Sequence, residues 1–219
     1  MSASRVLVTD FDGTMTKHDF YALVAQQILP VDTPDYWIDY RAGRITHFEA
    51  LRRYFAAIQA DEATVLKLID TMELDPQLAA AIAALEKANW KVVVASAGCR
   101  WYIDRLLAAA GVHIDVNANP GHFEPGRGLV MEMPTDSLFV STMLGTDKSA
   151  VVRHYIDAGC VVAFAGDGFP DYDAACLVPA TQRFARGDLA NALSQSALTF
   201  RPYATWSEIA YELAAAPPL

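Results

Sequence analysis

The chain is poor in the residues that zinc, disulfides and polyanions call for. Its three cysteines, Cys99, Cys160 and Cys176, have no CxxC spacing, and its five histidines form neither HxxxH nor HExxH. A zinc site and a disulfide framework are therefore not expected. Positive charge is scarce as well: 17 Lys and Arg stand against 26 Asp and Glu, a formal net charge of -9. A nucleic-acid backbone or an anionic membrane surface calls for clustered Lys and Arg, so neither is expected as a partner. A small anionic substrate remains compatible, because local charge can oppose net charge. No run of about 18 apolar residues marks a membrane span, and the opening MSASRVLVTD has no long apolar h-region. Internal repeats and low-complexity segments are also lacking. The expectation is a reduced, cytoplasmic protein whose partner is a small molecule.

What is present is a sizeable apolar inventory. Across 219 residues, 53% are apolar types and 20% are charged, enough to bury the core of one domain, or of one domain with an insertion. Short apolar runs at 5–9, 91–95, 112–116, 160–165, 182–185 and 198–200 read as strands, most too uniformly apolar to have a wet face. Helical patterns follow at 100–110, 148–158, 170–176, 188–194 and 206–215. This alternation predicts an α/β fold, a Rossmann-like parallel sheet covered by helices. After the first strand the pattern changes: helical stretches at 20–29, 33–42, 48–58, 62–72 and 76–89 come with no convincing strand. A direct crossover needs far fewer residues. The expected organisation is a core of residues 1–17 and 90–219 with a helical cap, 18–89, inserted after strand 1. Tyr36, Trp37, Tyr40, Tyr54 and Phe55 sit at helical spacing and are expected to form cap core. HFEPGRGLVME at 122–132 predicts a hairpin turning at Pro125-Gly126.

In an open parallel sheet, ligands bind beyond the carboxyl ends of the strands. Asp10, Asp12, Gly13 and Thr14 follow the first apolar run, Ser96, Ala97 and Gly98 the second, and Asp167 and Asp171 the run at 160–165, while Lys148 opens the helix before that run. Strand alternation points Asp10 and Asp12 to the same side, where their repulsion has to be offset by a cation. Mg²⁺ suits an all-oxygen carboxylate site, with Asp167 a further ligand. For a phosphate monoester, Asp10 can attack phosphorus, and Asp12 can protonate the leaving oxygen and later deprotonate water. The Ser96 hydroxyl, the Ala97 N–H and a helix N-terminus behind them can hold phosphoryl oxygens. Lys148 supplies positive charge to the transferring group.

DFDGT at 10–14, Ser96-Ala97-Gly98, Lys148 and GDGFPDYDA at 166–174 resemble, in order and spacing, the four motifs of the haloacid dehalogenase superfamily of phosphatases. The helical insert looks like the type 1 cap of the phosphoserine phosphatase-like subfamily. The tail, with Phe184-Ala185-Arg186, is similar to the branch that contains 2,3-diketo-5-methylthio-1-phosphopentane phosphatase. The resemblance implies Asp10 as nucleophile and Mg²⁺ ligand, Asp12 as acid/base and backbone-carbonyl ligand, and Asp167 as the remaining protein ligand. It further implies Asp171 in support of the metal's water shell, and Gly13, Thr14, Ser96, Ala97 and Lys148 around the phosphate. Phosphoserine enzymes also carry an acid matched here by Asp19, and a cap arginine for which Arg52 and Arg53 are the candidates; Arg186 is a further substrate candidate.

Two alternatives are carried forward. One is a phosphoserine phosphatase. The other is a non-catalytic phospho-acceptor module of receiver type, against which Asp12 and the long insert speak, since a receiver needs neither a leaving-group acid nor a lid.

Overall fold

The computed structural model describes residues 4–135 and 137–216. Strand β1 (Arg5–Thr9) is the apolar run RVLVT, and its alternation divides the core. Leu7 faces one hydrophobic cluster, Val6 and Val8 the other. Helices α1 (Phe20–Gln27), α2 (Tyr36–Arg41), α3 (His47–Ala56) and α4 (Glu62–Asp70) follow. Each starts at an oxygen-bearing cap: Asp19, Asp35, Thr46 and Asp61 accept from backbone N–H groups of the first turn, satisfying donors that the helix leaves free. Helix α5 (Leu78–Lys87) packs on the helix Trp206–Ala215 and on the next strand, β2 (Trp90–Cys99). It therefore lies against the sheet as the crossover into β2, although the expected cap segment runs on to residue 89.

The remaining elements are α6 (Arg100–Ala109), β3 (Asp115–Asn119), β4 (Gly121–Glu124), β5 (Gly128–Met131), β6 (Val140–Ser141), β7 (Gly145–Thr146), α7 (Lys148–Asp157), β8 (Val161–Gly166), α8 (Tyr172–Cys176), β9 (Arg183–Ala185), α9 (Gly187–Gln195), β10 (Arg201–Pro202) and α10 (Trp206–Ala215). Six strands form one parallel sheet in the order β10-β9-β8-β1-β2-β3. β4 and β5 make the expected hairpin, which rests on α3. Among the described residues no helix is long and apolar enough to cross a membrane.

Thr9 is level with Val94 of β2 and Ala165 of β8, so Asp10 emerges beside the end of β8 while β2 runs on past it to Cys99. The chain winds outward from β1 through β2 to β3 and then returns to the far side of β1 at β8. This reversal opens a crevice at the strands' carboxyl ends.

Two predicted strands are displaced for one physical reason. Gly111, at φ +68°, follows α6, and the Val112 N–H returns to the Leu107 carbonyl. Ala197, at φ +55°, follows α9, and the Leu198 N–H returns to the Leu193 carbonyl. Both are helix-terminating motifs with a left-handed residue followed by an apolar one that packs back. The apolar residues at 112 and 198 thus close helices, and the strands begin later, at Asp115 and Arg201.

Candidate active site

Asp10 leaves β1 with its N–H donated to the Ala165 carbonyl at 2.9 Å, and its Oδ1 accepts from Lys148 Nζ at 2.7 Å. The same ammonium donates to Asp171 Oδ1 at 2.6 Å. All three side chains are buried. Lys148 occupies the first turn of α7, where the Asp147 side chain accepts from the Ala150 N–H and sets the helix start. Burial alone would push the lysine toward neutrality, but the carboxylates of Asp10 and Asp171 hold its pKa above the usual value. Asp10 moves up, through burial and the charge of Asp171, against the pull of Lys148.

Asp171 also binds its own loop, its Oδ2 accepting from the N–H groups of Asp167 and Gly168, both at 3.0 Å. That loop presents Asp167, whose Oδ1 accepts from the Thr14 hydroxyl at 2.9 Å. Burial and Asp171 raise Asp167 to about 6. Carboxylate oxygens of Asp10, Asp167 and Asp171 lie within 4.8 Å of one another. Gly13 makes room for this approach: its φ is +68°, and a Cβ there would stand 2.3 Å from Asp167 Oδ2.

Asp12 points to the same side and is held at both oxygens. Oδ1 accepts from the Phe20 N–H at 3.1 Å and Oδ2 from the Tyr102 hydroxyl at 2.7 Å. Burial, then the nearby Asp19, raise it to about 7. Gly98 accommodates the tyrosine, because a Cβ at that position would fall 1.9 Å from the Tyr102 hydroxyl oxygen.

These groups surround a cavity of about 120 Å³ whose wall also includes Ser96, Ala97, Gly98 and, from the insert, Asp19, Trp37 and His47. The Ser96 Oγ accepts from the Gly98 N–H at 3.0 Å. β2 runs on through Cys99 and α6 begins only at Arg100, so the expected helix N-terminus does not stand directly behind Ser96 and Ala97. Ser96, Ala97 and Gly98 line the cavity from the end of β2 instead.

The structure brings Asp10, Asp12, Lys148, Ser96, Ala97, Asp167, Asp171 and Asp19 to one cavity, with Gly13 and Thr14 packed on Asp167. Asp19 is also the α1 cap, accepting from the Ala22 N–H. Three sequence candidates lie elsewhere. Arg52 and Arg53 both bind Glu49, each at 2.7 Å, on the outer side of α3. Arg186 spends its guanidinium on the backbone carbonyls of Gly13, Thr16 and Ala204. Their charges are satisfied outside the cavity, so their placement supplies no substrate contact.

Several wall residues were not legible as such, Tyr102, His47 and Trp37 among them. Tyr102 is a lone polar aromatic on the apolar face of α6. His47 follows the recognisable cap Thr46 directly, which was its available signal. Trp37 reads as cap core from its helical spacing, yet it faces the cavity.

Residues 7–175 match the family model described as haloacid dehalogenase-like hydrolase. One relative, the 2-hydroxy-3-keto-5-methylthiopentenyl-1-phosphate phosphatase of Bacillus pumilus (strain SAFR-032), is 22% identical over 208 residues, covering 93% of this chain and 88% of the relative. Among solved structures, a phosphoserine phosphatase with a phospho-aspartyl intermediate analogue has a TM-score of 0.66 at 16% identity, over 96% of this chain and 99% of that one. A hydrolase from Salmonella enterica subsp. enterica serovar Typhi has a TM-score of 0.69 at 14% identity, over 93% and 68%. At these identities the structural likenesses establish the fold.

Proposed function

The chain belongs to the haloacid dehalogenase-like hydrolase family, and from that premise we propose that it is a phosphomonoesterase acting on a small soluble phosphorylated metabolite. The observation that carries the reading is the trio Asp10–Lys148–Asp171 beside a separately held Asp12, all on one small cavity. The name of the Bacillus pumilus relative, a phosphatase of a small phosphoester, points the same way.

The donor set fits Mg²⁺. Three carboxylates converge with Lys148 as the ammonium between two of them, leaving excess negative charge and only oxygen donors, which a hard dication suits. Asp10 and Asp167 would hold the ion together with the Asp12 backbone carbonyl, and Asp171 would fix the loop that presents Asp167. When bound, the ion supplies charge neutralisation for the phosphoryl oxygens and for Asp10.

The residues divide the work. Lys148 occupies Oδ1 of Asp10, leaving Oδ2 to attack phosphorus. The bond from phosphorus to the leaving oxygen breaks as the Asp10–phosphorus bond forms, and Asp12 delivers its proton to that oxygen. Water then attacks the aspartyl-phosphate, Asp12 takes the water's proton, and phosphate leaves with Asp10 restored. A pKa near 7 suits a group that must give and accept within one cycle. Ser96 and Ala97 hold the phosphoryl oxygens, and helices α1–α4 act as the cap that closes over the alcohol half.

Phosphoserine is the weaker substrate reading, because neither Arg52 nor Arg53 lines the cavity to meet a carboxylate. A phospho-acceptor module leaves Asp12 and the cap without a purpose. The test is para-nitrophenyl phosphate turnover with and without Mg²⁺. Activity that needs the ion and vanishes in Asp10→Asn is expected; substantial turnover by Asp10→Asn would remove the mechanism.

A further inference from the structure

The cavity has one wall of catalytic residues and another supplied by the insert. On the catalytic wall the hydrogen-bonding groups are engaged: Asp12 by Phe20 and Tyr102, Lys148 by Asp10 and Asp171, Ser96 by Gly98. His47, on the insert wall, differs. Its Nδ1 is buried and has no hydrogen-bond partner among the described residues. Its ring is fixed between two aromatics, with Trp37 at 5.1 Å and 45° and Tyr40 at 5.6 Å and 84°.

A buried nitrogen without a partner is costly, and the cost is removed when a ligand supplies the partner. The phosphate end of any ester is fixed at Lys148 and Ser96, so the alcohol half meets the opposite wall. Burial, followed by the positive charge of Lys148, holds the His47 pKa down to about 4. The ring is consequently uncharged near neutrality, with one donor and one acceptor nitrogen, matched to a hydroxyl and without a charge to pair with a carboxylate.

We propose that His47 is the specificity-determining residue of this site, hydrogen-bonding a hydroxyl on the alcohol half of an uncharged, polyol-like phosphate monoester. The inference rests on the phosphomonoesterase reading above. It differs from that reading in concerning selection among esters and not the chemistry of phosphoryl transfer. A site built around a hydrogen bond to a substrate hydroxyl rejects the analogue lacking it more strongly than an apolar pocket rejects a missing methylene.

Glycerol 3-phosphate and n-propyl phosphate, which differ only in hydroxyls, make the test. The quantity read is the ratio of their kcat/KM values, in which any general loss of activity cancels. Wild type is expected to favour glycerol 3-phosphate, and His47→Phe to lower the ratio at least tenfold, mainly through KM. His47→Asn, whose amide can occupy the place of Nδ1, is expected to recover part of it. The Tm of His47→Phe should not fall, since Nδ1 has no partner to lose in the free protein. A wild-type ratio near one, a His47→Phe ratio within twofold of wild type, or a lowered Tm with equal loss on both esters would overturn the inference alone. A wild type inactive on both esters and on phenyl phosphate as well would overturn the phosphatase reading and this inference with it.

Discussion

The Tyr102 hydroxyl donates to Asp12 Oδ2 at 2.7 Å across ninety positions of sequence, joining the first turns of α6 to the end of β1. With the Phe20 N–H on the other oxygen, it holds the Asp12 carboxyl in a single orientation. Tyr102→Phe deletes the bond and keeps the ring packed against Phe11 and Phe20. The expected result is a kcat about tenfold lower with KM little changed, a smaller loss than the roughly 10²–10⁴-fold that a positioned acid/base contributes. Steady-state kinetics on para-nitrophenyl phosphate checks it, and a fall confined to KM would contradict it.

Asp10, Asp12 and Lys148 should fail differently. Asp10→Asn is expected to abolish turnover, because an amide cannot form the acyl phosphate. Asp12→Asn is expected to retain phosphate binding and lose turnover. Lys148→Ala strands two buried carboxylates, and breaking a buried pair in this way costs about 3 kcal/mol or more. Its urea midpoint should drop accordingly, along with phosphate affinity. Equal, small effects in the three variants would place these residues outside the chemistry.

Mg²⁺ should stabilise the fold as well as activate it. At a hundredfold excess over its dissociation constant a ligand of the native state adds about 2.7 kcal/mol. A rise in Tm with Mg²⁺ that EDTA reverses is expected for wild type and not for Asp167→Asn. A variant Tm that still rises by the wild-type amount would take Asp167 out of the ion's ligand set.

Gly13→Ala should be costly beyond the loss of glycine's freedom. The positive φ and the clash with Asp167 act together, and strain of this kind costs on the order of 1–3 kcal/mol. Chemical denaturation measures the loss, and Mg²⁺ dependence should shift with it because the residue displaced is Asp167. Wild-type stability in Gly13→Ala would contradict the packing.

Acid stability should carry the signature of His47. Its pKa is about 4 in the folded protein and near 6.5 otherwise, so between these values the unfolded chain binds the extra proton. Stability is therefore full above about pH 6.5 and falls as the pH drops toward 4, by at most about 3 kcal/mol at ~1.4 kcal/mol per pH unit. His47→Phe should flatten that part of the profile. An unchanged slope in the variant would show that the ring is not held neutral.

The amino-acid sequence by itself determined the α/β order, the parallel core and the placement of Asp10, Asp12 and Asp167 just past apolar strands, whereas Ser96 lies inside β2. These are local properties: a doubly buried strand must be apolar along its length, and the chain leaving it arrives at the sheet's carboxyl edge. Tertiary structure alone decided the rest. Apolar Val112 and Leu198 have the composition of strand residues, yet each packs back on a helix whose end is set by a left-handed residue. Arg52, Arg53 and Arg186 have the charge of substrate ligands, but whether a guanidinium meets a substrate, Glu49 or a backbone carbonyl depends on which partner folding brings within hydrogen-bond distance. Tyr102 and His47 carried no spacing signal toward the aspartates, since their place at the cavity comes from how α6 packs on β3 and β4 and α3 on α1, α2 and β5, and not from any periodicity along the chain.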